Sequence, residues 1–113
     1  MHFMKKLILF LFLFNSIKVT AQKVFPVKYE GQAEVKVFVV KYESQADLKV
    51  YKVSYESQAK ENEGRWFFAK YPAQAEKKVF FVSYESQADL KIFFVDYPAQ
   101  AGWKKREKMH LME

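Results

Sequence analysis

The sequence predicts a mainly β fold: one compact domain of six 13-residue strand-plus-turn repeats, paired as three plus three about a pseudo-two-fold relation. Three observations predict it. A marker tyrosine recurs at Tyr29, Tyr42, Tyr55, Tyr71, Tyr84 and Tyr97, with spacings of 13, 13, 16, 13 and 13. A Gln-Ala pair follows each tyrosine at a fixed offset, at Gln32, Gln45, Gln58, Gln74, Gln87 and Gln100. Val, Phe, Tyr and Ile crowd the stretch before each tyrosine, a composition that favours strand over helix. A unit this short cannot bury an apolar face alone, so its copies must pack on one another.

The first 21 residues stand outside the repeats. Lys5 and Lys6 precede an unbroken apolar run, Leu7 to Phe14, and a polar stretch then ends Val19-Thr20-Ala21. This is the pattern of a cleavable signal peptide, residues 1–21, with cleavage before Gln22. Eight apolar residues span about 12 Å as helix, against roughly 30 Å of bilayer hydrocarbon, so no transmembrane anchor is expected after cleavage. The reading implies export, to the periplasm or beyond. Lys5, Lys6 and Lys18 leave with the leader, and the formal charge falls from +6 to +3. The chain has no cysteine, so neither disulfides nor a lipidated cysteine can hold it.

Residues 22–113 are long enough for one domain with a real core, but not two. The clearest repeat runs from Lys36 (position one) to Leu48 (position thirteen). Its first seven positions read as a strand, with positions three, five and seven on the core side: Phe38, Val40 and Tyr42; Tyr51, Val53 and Tyr55; Phe80, Val82 and Tyr84. Position two, as in Val37, Val50 and Trp66, is apolar as well, so the second face is partly covered. Positions eight to thirteen make the connection, where Gly31, Pro72 and Pro98 are tolerated. A connection this short leaves no room for an ordinary crossover helix. Pro26, inside the first strand, suggests an edge or frayed strand.

The three extra residues between Tyr55 and Tyr71 fall at Asn62-Glu63-Gly64, the most turn-like stretch of the array. They divide it into repeats 23–61 and 65–103, joined by a short polar link. Residues 104–113 form a C-terminal tail. Its Lys104-Lys105-Arg106-Glu107-Lys108 run is the one basic cluster, and reads as a soluble end rather than a lipid or nucleic-acid site.

Two readings of the six glutamines compete. An amide ladder could face a glycan or peptide, or each amide could satisfy backbone groups where ladder bonds are missing. Six equivalent copies, each beside a small alanine, favour the structural role. Catalytic chemistry has few candidates. The domain holds one histidine, His110, which argues against Ser-His-acid, Cys-His and multi-histidine metal sites. Glu43, Asp47, Glu56, Glu85, Asp89 and Asp96 are plentiful acids, but most recur beside lysine, as a solvated charged face does. No phosphate-binding glycine loop or calcium loop is present. No catalytic residue, cofactor or metal is therefore expected.

The repeated phrase V-F-x-V-x-Y-x-S-Q-A, with Gly64-Arg65-Trp66-Phe67-Phe68 at mid-chain and Ala101-Gly102-Trp103-Lys104-Lys105 and His110-Leu111 at the end, resembles the septoil-knot family. The resemblance covers residues 23–113. It implies a compact, mainly β domain whose backbone traces a seven-crossing torus knot, and it brings no catalytic or binding residue with it. The combined expectation is an exported, monomeric, highly stable, non-catalytic structural or binding domain, with an envelope or extracellular partner and no role on nucleic acid. Two alternatives stand beside it. One is a self-assembling extracellular fibre subunit of curli-like type, given aggregation-prone runs such as Val79-Phe80-Phe81-Val82 and Ile92-Phe93-Phe94-Val95. The other is a glycan-acting enzyme using paired carboxylates.

Overall fold

The computed structural model describes residues 21–113; residues 1–20, which hold nearly all of the expected leader, lie outside them. Seven strands follow in order: β1 (Lys23–Pro26), β2 (Val35–Val39), β3 (Leu48–Lys52), β4 (Arg65–Phe68), β5 (Lys77–Phe81), β6 (Leu90–Phe94) and β7 (Gly102–Trp103). A single 3-10 turn follows each of the first six: η1 (Glu30–Gln32), η2 (Glu43–Gln45), η3 (Glu56–Gln58), η4 (Pro72–Gln74), η5 (Glu85–Gln87) and η6 (Pro98–Gln100). A longer 3-10 segment, η7 (Arg106–Met112), ends the chain.

The first six strands close into a parallel barrel in the order β1-β5-β2-β6-β3-β4. The first three strands take alternate places and the last three fill the gaps between them. Each connection within a half therefore steps over one strand of the other half. η1 packs on β5, η2 on β6, η4 on β1, η5 on β2 and η6 on β3. These reciprocal crossings interleave the two halves of the chain. The link at Asn62-Glu63-Gly64 makes the interleaving possible. A further two-place step from β3 would land on the place of β1; the step to β4 covers one place instead.

The register shifts by two residues in the same sense at each of the six junctions, as in Val35↔Val79, Val37↔Leu90 and Leu48↔Ile92. A barrel with one residue of shear per strand tilts about 36°; two per strand double the tangent, giving about 55°. Equivalent repeat positions then lie at one level. Val24, Val37, Val50, Trp66, Val79 and Ile92, all at position two, form a fully buried ring. Val35, Leu48 and Leu90, at position thirteen, are buried on one side of it. At position four, on the other side, Phe68, Phe81 and Phe94 of the second half alternate with Pro26, Val39 and Lys52 of the first. The Lys52 ammonium lies 4.5 Å from the centre of the Phe94 ring and 5.4 Å from that of Phe68.

This inverts the predicted faces. Positions thirteen, two and four point inward, and positions three and five point outward beneath the connections. The strands end at position four, so the predicted seven-residue strand is too long. Position five stays buried in Val40, Val53, Ala69 and Val82, while the six marker tyrosines, expected in the core, are 63–69 % exposed. Size explains the inversion. Six aromatic side chains at position three do not fit inside a six-stranded barrel, whereas Val, Leu and Ile with one Trp do. The expectation of an edge strand at Pro26 also fails, since β1 pairs with both β4 and β5. Pro26 is tolerated as the last strand residue. Val27 carries the next bond to the Val79 carbonyl, and the proline nitrogen faces β4 beyond the Ala69–Val24 bond that ends that ladder.

Candidate functional site

The C-terminal segment is not a loose soluble end. β7 pairs antiparallel with β3, and the Trp103 indole N–H donates to the Asn62 carbonyl at 2.8 Å. Asn62 in turn donates from Nδ2 to the Met109 carbonyl at 2.9 Å. Met112 is buried with the core, and the Gln22 amide donates to its carbonyl at 3.2 Å. The Lys77 ammonium donates to the Glu113 carbonyl at 2.6 Å. The short polar link is thus the dock for the C-terminal segment.

Asp47 organises the same region. It is fully buried, against the expectation of a solvated face. Its Oδ2 accepts the Lys91 backbone N–H at 2.9 Å and the Lys108 ammonium at 3.1 Å, and its Oδ1 lies 3.6 Å from the Lys105 ammonium. Its backbone carbonyl accepts the N–H groups of Lys104 and Lys105. A strand-starting device repeats elsewhere at position twelve. Asp89 accepts the Lys36 N–H and Glu34 accepts the Lys78 N–H, while each acid's own N–H returns to the same residue's carbonyl. Among these acids in the described residues, only the Asp47 carboxylate adds the tail lysines; Lys108 also donates to the Asp89 backbone carbonyl at 3.2 Å. Burial pushes its carboxyl upward, but the Lys91 N–H and the Lys108 ammonium, with Lys105 further off, outweigh burial and hold it below the ordinary value.

A pH dependence follows. The unfolded group titrates near about pH 4, and the folded group below that. Its stabilising contribution is complete above the unfolded value and is lost as pH falls through the folded one. Asp47→Asn should cost about 1–3 kcal/mol at neutral pH and progressively less at about pH 2. Denaturant midpoints of both proteins at the two pH values check this; an equal gap at both would remove Asp47 as the cause.

On the outer surface, position one is basic in every repeat: Lys23, Lys36, Lys49, Arg65, Lys78 and Lys91. Position eight reads Glu30, Glu43, Glu56, Pro72, Glu85 and Pro98. Where the glutamate is present it meets a cation: Lys36–Glu30 at 3.4 Å, Lys49–Glu43 at 3.3 Å, Lys91–Glu85 at 3.2 Å and Lys23–Glu56 at 3.5 Å. The Arg65 guanidinium and the Lys78 ammonium have no carboxylate within 4.0 Å among the described residues, although the Lys78 backbone N–H donates to Glu34. Each lines a groove on the outside of the barrel, and each groove is also lined by one of the two prolines that replace glutamate. The larger groove, about 420 Å³, lies on β3 with Tyr51, Tyr55, Gln58, Lys60, Arg65 and Pro98 in its lining. The smaller, about 330 Å³, lies on β1 and is lined by Phe25, Val27, Gln32, Pro72 and Lys78. Repeat for repeat these are equivalent places.

The six glutamines, Gln32, Gln45, Gln58, Gln74, Gln87 and Gln100, are all exposed at the ends of their 3-10 turns. Gln58 Oε1 accepts the N–H groups of Ser54 and Tyr55, and Gln100 Oε1 accepts that of Tyr97. These amides close their own turns rather than a strand crossing. Gln32 and Gln58 face the grooves as well. Glu43, Glu56 and Glu85 are spent on surface ion pairs, and Asp96 is exposed and apart from them. His110 is exposed, with Nδ1 3.0 Å from the Glu107 carbonyl oxygen. Among the described residues no group of three or more His, Cys, Asp or Glu could hold a metal ion, and no helix is long and apolar enough to cross a membrane. Sequence reasoning missed the grooves, although their signal was present: glutamate gives way to proline at position eight in two repeats.

Compared with protein-family models, the chain matches the 7(1) septoil knot domain over residues 21–104. No similar protein was found among curated proteins, and none among solved structures.

Proposed function

The chain belongs to the septoil knot domain family, and from that premise we propose that it works outside the cytoplasm as a monomeric, highly stable, non-catalytic binding domain. The observation that carries this reading is the division of labour between the two surfaces of the barrel. The interior is given over to packing, while the exterior displays six exposed tyrosines, each leading into a turn with an exposed glutamine, around a rigid scaffold. Amphipathic tyrosine supplies contact area at low entropic cost and a polar handle, which suits recognition. The export leader over residues 1–21 and the absence of cysteine support stability by winding and packing in an exposed compartment.

The fibre reading draws less support. Val79–Val82 and Ile92–Val95 lie in and just after β5 and β6, each of which is paired on both sides within the closed barrel. Closure removes the strand edges that fibre growth would use. The enzyme reading draws less still, since five of the six candidate carboxylates, all but the exposed Asp96, are engaged in ion pairs or strand-start hydrogen bonds. Fractionation of the native host, with sedimentation and a fibril-dye assay on the recovered protein, tests the proposal. The expected result is a monomer in the periplasm or medium that binds no dye. Recovery from the cytosol, or as dye-positive fibres, would overturn it.

A further inference from the structure

The two outer grooves break the repeat in a way packing does not require. In the other repeats a glutamate at position eight meets a position-one cation across the turn. Pro72 removes that carboxylate beside Lys78, and Pro98 brings none to the groove of Arg65, while Glu56 is drawn away to Lys23 at 3.5 Å. Among the described residues neither groove has a carboxylate in its lining. What remains in the larger groove is two tyrosine rings, Tyr51 and Tyr55, an amide, Gln58, and two cations, Lys60 and Arg65. The smaller repeats the set with Phe25, Gln32 and Lys78.

We infer that these grooves are paired subsites for an acidic saccharide, an inference that rests on the reading of the protein as an exported binding domain. Each part of the set matches one feature of such a ligand. A flat aromatic ring lies against the apolar C–H face of a sugar, and the tyrosine hydroxyl remains free to hydrogen-bond. The amide donates and accepts at once, as vicinal hydroxyls require. The guanidinium of Arg65 offers paired donors in a plane that fits a carboxylate or sulfate. A neutral sugar would leave the two cations of the larger groove without their counter-charge.

The placement of the grooves argues for a polymer rather than a monosaccharide. One lies on β3 and the other on β1, and these are the two neighbours of β4. Two strand spacings put them roughly 10 Å apart. A single chain crossing the η3 turn, which packs on β4, engages both, and linkage converts the second contact into an intramolecular one.

The test is titration calorimetry of the folded domain with three hexasaccharides: oligogalacturonate, its carboxyl-reduced neutral counterpart and a sulfated oligosaccharide. The acidic ligands should bind about tenfold or more tightly than the neutral one. Arg65→Gln, Lys78→Gln and Tyr55→Ala should each weaken binding by about tenfold, while Lys41→Gln, an exposed cation outside both grooves, should not. Pro72→Glu and Pro98→Glu, which restore the residue of the other repeats, should weaken acidic ligands and spare the neutral one. Preference between the carboxylated and the sulfated ligand identifies which acid the grooves take. The inference fails if the neutral ligand binds equally, if Lys41→Gln weakens binding as much as Arg65→Gln, or if no saccharide binds. Such failure leaves the exported-domain reading standing, because fractionation and sedimentation test that separately.

Discussion

Without Trp103–Glu113, the protein is expected to unfold in strong denaturant within about minutes, where the intact domain takes about hours or longer. The deleted residues carry the Trp103–Asn62, Asn62–Met109, Gln22–Met112 and Lys77–Glu113 contacts and the buried Met112 side chain. They also hold the end of a chain whose connections pass over strands of the opposite half. An interleaved chain comes apart from an end, so whatever anchors the end stands in the unfolding barrier. Stopped-flow or manual-mixing unfolding, followed by tryptophan fluorescence from Trp66, measures the rate in both chains. Equilibrium midpoints measured in parallel separate lost stability from a lost barrier. If the intact domain itself unfolds within seconds, the anchored end is not a kinetic lock.

Gly64→Ala should cost about 3–5 kcal/mol, a large share of the stability of an ordinary domain. Gly64 has φ +88°, a conformation that strains any side chain, and an added Cβ would overlap the Lys49 carbonyl oxygen. It would also come within 3.1 Å of the Gly102 nitrogen, where β7 joins β3. The Gly64 carbonyl accepts the Tyr51 N–H, which fixes β4 beside β3 at the one single-place step of the winding. Displacing it therefore disturbs the junction on which the interleaving depends. Gly31→Ala is the matched control, because nothing lies within 4 Å of the position its Cβ would take. Denaturant midpoints of the two variants decide the matter; equal midpoints would show that the close approach at Gly64 is tolerated.

Much of the architecture was legible because the repeat is strict. The tyrosine and Gln-Ala periods mark six units, and the three-residue insertion marks the boundary between halves. The faces were not legible, because both faces of each strand are apolar. Val37 and Phe38 are equally good strand residues, and alternation cannot say which lies inside when the sheet curls into a barrel. The role of Asp47 was hidden for a different reason. Its sequence neighbourhood matches that of Asp89, and only the return of Lys105 and Lys108 from the far end of the chain makes it a buried hub. The grooves were half legible: Pro72 and Pro98 are visible departures from the repeat, but the cations they leave unpaired come from other repeats.

By itself, then, the sequence determined that the chain is a sixfold β repeat, divided three and three, which packs without disulfides and shares its repeated phrase with the septoil knot family. Those properties follow from local composition and spacing, and each is written within a window of a few tens of residues. The tertiary structure alone decided that the halves interleave, that the tyrosines face solvent, that the polar link receives the C-terminal segment, and that two outer grooves carry cations with no carboxylate partner among the described residues. Each of these depends on residues from different repeats arriving at one place. Strand order and shear set that meeting, and the pairing of distant strands leaves no mark in the local pattern of any one of them.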